Sequence, residues 1–171
     1  LNPSAPHYYS FFYDMNHESA LTKAYVNRCL KYWLQEYRID GYRFDFTKGF
    51  TQKASNNDQT VSAYDQSRID HLKVYHQTVQ QTSPGAYTIL EHFAENSEET
   101  VLANEGMMVW NNMVFTTNEI TMGYTNNAFR GYSAKSRSWN TTANSDKLVS
   151  YPESHDEERL MFKNLKYGNA S

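Results

Sequence analysis

Four strand-forming runs, at residues 39–46, 86–92, 107–110 and 147–151, are separated by stretches with the apolar spacing of helices. A parallel neighbour in a sheet is reached only through a long crossover, usually a helix, so this alternation predicts parallel βα units with strands buried on both faces. Around Val26, Leu30, Trp33, Leu34 and Tyr37 the spacing predicts a helix opening at Ser19, with Trp33 in the core and Cys29 in or beside the apolar stripe. A second helix is expected from about Tyr64 to Gln81, ended by Pro84-Gly85, and a third opening on the capping-box pattern Asn96-x-x-Glu99 and stopping at Gly106. A fourth is expected between Thr116 and Phe129, followed by a Ser/Asn-rich connection, and a last from Glu157 to about Leu165, closed by Gly168. Residues 1–18 read as an irregular opening segment and Thr47 to Asn57 as a polar loop.

Two architectures are built from parallel βα units. An open doubly wound sheet usually carries a glycine-rich phosphate loop after a strand, and this sequence has none. In a (β/α)8 TIM barrel, chemistry gathers at the C-terminal ends of several strands. Three acidic motifs fall at such ends, Gly41-Tyr-Arg-Phe-Asp45, Ile89-Leu-Glu91 and Glu153-Ser-His-Asp156, and they favour the barrel. Closure needs eight strands and about 250 residues. The 171 residues are therefore expected to be an excerpt, a fragment of one catalytic barrel domain. The start at Leu1, with no basic-then-apolar leader, fits the same expectation.

Composition narrows the partners. The net charge of -3 supplies no basic footprint for nucleic acid. No apolar run approaches a membrane span. With Cys29 as the single cysteine there is neither an internal disulfide nor a cysteine-based metal site. Only 39% of residues are apolar, polar for a closed core, and Asn, Gln, Ser and Thr make up the difference more than charge does.

The first acidic motif is the most informative. Side chains alternate along a strand, so Tyr42, Phe44 and Phe46 share a face that packs on helices, while Gly41, Arg43 and Asp45 share the one pointing into the barrel. A guanidinium beside Asp45 favours its ionised form, which suits a nucleophile. An amphipathic edge strand with both charges in water fits the same pattern. Tyr87, Ile89 and Glu91 likewise share a face, and apolar neighbours would raise the Glu91 carboxyl into the range of a general acid. An exposed Glu at the start of a loop fits as well. Asp156 precedes a helical stretch and equally suits an N-terminal capping acid.

Taken together, the motifs, their order and their strand positions resemble the α-amylase family of retaining glycosidases, glycoside hydrolase family 13. The similarity covers nearly the whole chain, roughly strands four to seven of the family barrel. It implies that Asp45 is the nucleophile, Glu91 the acid/base and Asp156 the third acid, with Arg43 supporting the nucleophile. It further implies that His155 binds a sugar hydroxyl and that Lys48 is available to substrate. Asp14-Met-Asn16 resembles a further family motif. Departures are Lys48-Gly49, where the family often has Lys-His, and Ser154, where an Asn frequently precedes His-Asp.

The implied activity is hydrolysis of α-1,4-glucan such as starch or maltodextrin. Transfer to another sugar, cleavage of branches or cyclic dextrins, and, in another class, a non-catalytic interaction module are the alternatives. The implied chemistry requires no organic cofactor. Calcium is left open, since no full set of oxygen ligands stands at recognisable spacing. Among the aromatics, Tyr8, Tyr9, Tyr13 and Trp110 are candidates for packing on sugar faces. The resemblance implies an extracellular or periplasmic setting, an isolated fragment without activity of its own, and self-association of an open half-barrel through its sheet edges.

Overall fold

A computed structural model of the chain describes residues 2–11, 13–124 and 146–169. Its elements alternate as the sequence predicts: α1 (Ala20–Glu36), β1 (Gly41–Phe44), α2 (Asp58–Ser62), α3 (Gln66–Thr82), β2 (Tyr87–Leu90), α4 (Asn96–Asn104), β3 (Met108–Asn112), α5 (Val114–Thr121), β4 (Leu148–Tyr151) and α6 (Leu160–Tyr167). The strands form one sheet in the order β1-β2-β3-β4, each next to its successor in sequence. The chain divides within β3 into two compact units, Leu1–Val109 and Trp110–Ser171.

In the first unit β1 pairs parallel with β2, Gly41 opposite Tyr87 and Phe44 opposite Leu90, and β2 pairs parallel with β3, Ile89 opposite Met108. Only glycine fits at the start of β1. Gly41 has φ 155°, and a Cβ there would overlap the Tyr87 backbone. Behind the sheet, Leu30 and Leu34 of α1 meet Tyr75 and Val79 of α3, and Tyr42 and Phe44 of β1 pack onto that cluster. The aromatic face of β1 thus buries itself against helices, leaving Arg43 on the other face.

Several local expectations are corrected. Trp33 is 46% exposed: Leu30 and Leu34 carry the inward stripe of α1, and the indole sits on its flank, 4.5 Å from the Tyr37 ring. The stretch expected as a polar loop holds a 3₁₀ turn at Thr47–Phe50, and α2 follows directly, opened by a capping box in which the Asn57 side chain accepts from the Thr60 amide. Asp65, not Tyr64, marks the start of α3, its carboxylate accepting from the Ser67 amide at 3.0 Å. The expected capping box at Asn96 does not form. Asn96 is already helical, and Glu99 is drawn into the interior with Glu98. At the other end Gly106, with φ 104°, closes α4 as expected.

In the second unit, the Met113 amide donates to the Tyr151 carbonyl, 3.1 Å away, and the rings of Trp110 and Tyr151 lie 4.7 Å apart. The Asn112 side chain accepts from the Val114 amide at the head of α5, and Thr121 of α5 donates to Asn164 of α6. The expected last helix starts at Leu160, later than Glu157, because Glu153 accepts from the Leu160 amide at 2.8 Å. Asp156 therefore does not cap α6. The helix expected between Thr116 and Phe129 starts earlier, at Val114, and ends at Thr121, where Gly123 with φ 86° turns the chain; residues 125–129 and most of the Ser/Asn-rich connection lie outside the described residues.

Candidate active site

Strand β1 carries Arg43 on the face turned away from the helical core, and its guanidinium reaches two carboxylates. One amino group contacts Asp45 Oδ1. The other donates to Glu91 Oε2 at 2.7 Å. Parallel pairing of β1 with β2 makes this contact possible: the ladder continues past both strands, with the Glu91 amide donating to Phe44 O and the Thr47 amide to Glu91 O. The two acids of this pair differ in exposure. The Asp45 side chain is 75% exposed and the Glu91 side chain 13%.

Between them the chain turns sharply at Phe46, which adopts the left-handed conformation with φ 43° and ψ 50°. For a bulky residue this costs about 1–3 kcal/mol. The turn aims consecutive amides at one residue: Phe46 N–H donates to the Glu91 carboxylate at 2.9 Å and Thr47 N–H to the Glu91 carbonyl at 2.9 Å. The sequence pattern predicts Phe46 on the aromatic face with Tyr42 and Phe44. Instead its ring leaves the strand and meets Tyr9 and Phe11 edge to face.

Burial pushes the Glu91 carboxyl above its usual range, while the Phe46 amide and Arg43 oppose the shift and the Asp45 carboxylate adds to it. Glu91 thus has a raised carboxyl, as the sequence predicts, but its neighbours are charged and not apolar. A part-buried acid with a raised carboxyl next to an open carboxylate is the division of labour that acid/base chemistry at a polar bond uses.

In front of Asp45 a cleft of about 330 Å³ is lined by Tyr9, Phe11, Tyr13 and Phe46, with Asp14 and His17 farther along. Tyr9 is fixed at its rim. Its hydroxyl donates to Asp58 at 2.7 Å, and the hydrogen bonds from Lys48 and Tyr9 hold the Asp58 carboxyl below its usual range. Lys48 itself is buried. Its Nζ is 2.8 Å from Asp58 and 5.0 Å from the centre of the Tyr9 ring, so the structure gives the ammonium protein partners where the sequence expectation gave it a sugar.

The pattern Leu1-to-Ser171 carries a match to one known domain family. The family model described as the catalytic domain of alpha amylase matches residues 7–166. The chain belongs to the α-amylase catalytic-domain family. A search of curated proteins finds no match. In this α-amylase family domain, a (β/α)8 barrel family, the Arg43–Asp45–Glu91 group sits where barrel chemistry is found, past the C-terminal ends of β1 and β2.

The remaining predicted residues lie in the second unit. His155 Nε2 and Asp156 Oδ1 are 3.4 Å apart and both side chains are well exposed, while Ser154 Oγ accepts from the Asp156 amide. Among the described residues no group of three or more His, Cys, Asp or Glu side chains is arranged to hold a metal ion.

A buried polar chain behind Glu91 escapes sequence reasoning. Thr47 Oγ1 is 2.9 Å from His92 Nδ1, His92 Nε2 is 2.9 Å from Glu98 Oε1, and Arg68 grips both oxygens of Glu98 at 2.6 and 2.7 Å. All four side chains are buried. Burial alone would raise the Glu98 carboxyl, but bonds from Arg68 and His92 outweigh it and hold it low. One signal for this chain was present: alternation places His92 on the opposite face from Glu91, and a polar side chain there requires a partner.

Proposed function

We propose that this α-amylase family chain supplies the nucleophile and acid/base of a retaining α-glycoside hydrolase acting on α-1,4-glucans such as starch or maltodextrin. The observation that carries the reading is the single guanidinium of Arg43 held between an open Asp45 and a part-buried Glu91. Asp45, with the Arg43 guanidinium against its carboxylate, attacks the anomeric carbon, while Glu91 protonates the departing glycosidic oxygen. The bond from carbon to the leaving oxygen breaks as the bond to Asp45 forms. Glu91, now a carboxylate, takes a proton from water, whose oxygen displaces Asp45 and releases a sugar of α configuration.

Aromatic walls beside Asp45 suit the C–H faces of glucose units, and Tyr9, anchored through Asp58, is the natural platform. His155 and Asp156 take the roles the family motif gives them, a hydroxyl contact and the third acid. Such a substrate goes with an extracellular or periplasmic setting, and no helix among the described residues is long and apolar enough to cross a membrane. Proton NMR of the first products of maltoheptaose turnover by the intact protein tests the chemistry. The α anomer is expected before mutarotation, and an initial β anomer would overturn double displacement. Product profiles on starch, pullulan and cyclodextrin separate endo-hydrolysis from transfer or debranching.

A further inference from the structure

We propose that Thr47, His92 and Glu98 are positioning residues for Glu91, acting through the left-handed turn at Phe46 whose amide holds the Glu91 carboxylate. The inference rests on Glu91 being the acid/base. Phe46 has no intrinsic preference for the conformation it adopts, so something outside the turn must hold it. The holder is the residue that follows. The Thr47 amide is on Glu91 O and its hydroxyl lies 3.0 Å from the same carbonyl and 2.9 Å from His92 Nδ1.

The proton inventory of this chain is determined by its buried end. Glu98, gripped by Arg68, is ionised and can only accept, so His92 carries its proton on Nε2 and donates to Glu98. Burial lowers the His92 pKa and keeps the ring neutral, which leaves a lone pair on Nδ1. The Thr47 hydroxyl, with its single proton, stands between two acceptors, that lone pair at 2.9 Å and the Glu91 carbonyl at 3.0 Å, and so ties His92 to the Glu91 backbone. Arg68 meanwhile donates to the Lys48 and Val61 carbonyls, tying the same turn to the end of α2. Each member of the chain is buried and bonded to the next, so Thr47 is held in place, and with it the direction of the Phe46 N–H.

This N–H stabilises ionised Glu91. The charged and titratable groups around Glu91 are Arg43 and Asp45 on its open side and Lys48, Arg68, His92 and Glu98 on its buried side, with His7, Asp14 and His17 lining the cleft before Asp45. Loosening the turn removes a bond to the ionised form without touching any of those charges, so the Glu91 carboxyl moves up and a slack carboxyl protonates the leaving oxygen less efficiently.

Thr47→Val keeps the shape and the backbone amide but deletes the hydroxyl, and Thr47→Ser restores it. In the intact protein turning over maltoheptaose, Thr47→Val is expected to lower kcat about tenfold with KM nearly unchanged. The alkaline limb of kcat/KM is expected to move up by about one pH unit. Thr47→Ser is expected to match the wild type in both. Should Thr47→Val not fold, Thr47→Ala, which deletes the same hydroxyl and changes no charge, is read in the same assays and is expected to move the same limb in the same direction. An unshifted limb in a folded variant, or a Thr47→Ser variant as impaired as Thr47→Val, overturns the positioning role while wild-type turnover leaves the acid/base reading standing. Absence of wild-type turnover overturns both.

Discussion

At the scale of single residues, burial lowers the pKa of the histidines packed into the fold. His17 illustrates it. The ring is stacked on Phe50 at 3.9 Å, its Nδ1 is 2.8 Å from the Tyr75 hydroxyl, and burial lowers its pKa to about 4. An unfolded histidine titrates near 6.5, so between pH 6.5 and 4 the unfolded chain binds the extra proton and the folded one does not. The stabilisation is complete above pH 6.5 and is lost as pH falls toward 4, on the order of 3 kcal/mol for this residue. Urea midpoints measured from pH 7 to 4 are expected to fall across that window, and His17→Gln to flatten the fall. An equal slope in the variant would assign the loss to other groups, of which His7, His71 and His92 are also shifted down by burial.

At the scale of elements, the site depends on how closely β1 and β2 approach and where each stops. Gly41 allows the approach. A methyl group there meets the Tyr87 backbone and sits at a φ that only glycine adopts easily, so Gly41→Ala is expected to destabilise the fold by on the order of 2 kcal/mol in chemical denaturation. A loss below a few tenths would mean the strands can separate without cost. The alternation of elements and the inward-facing Arg43 were legible in the sequence because periodicity is a local property. Phe46 was not, since its departure from the strand is imposed by the bonds that its own amide and that of Thr47 make to Glu91, which is distant in sequence. The Asn96-x-x-Glu99 motif misled for a related reason: Glu98 is claimed by Arg68, which pulls the first turn of α4 inward and leaves Glu95 at the cap. Lys48, which the family resemblance makes available to substrate, has its ammonium 2.8 Å from Asp58 of α2, a helix not expected from the polar loop before it.

At the scale of the molecule, four strands in sequential order and a family match over residues 7–166 make this an α-amylase family domain, and the chemistry follows from what its strand ends hold. Arg43, Asp45 and Glu91 come together from β1 and β2, whereas His155 and Asp156 follow β4 in the second unit. The central claim is that Asp45 is the nucleophile. Inactivating the intact protein with a fluorinated maltosyl reagent that traps the glycosyl-enzyme, then mapping the modified peptide by mass spectrometry, tests it most directly. The account predicts one label, on Asp45, and no label in Asp45→Asn; a label on any other residue, or full turnover by Asp45→Asn, would contradict it.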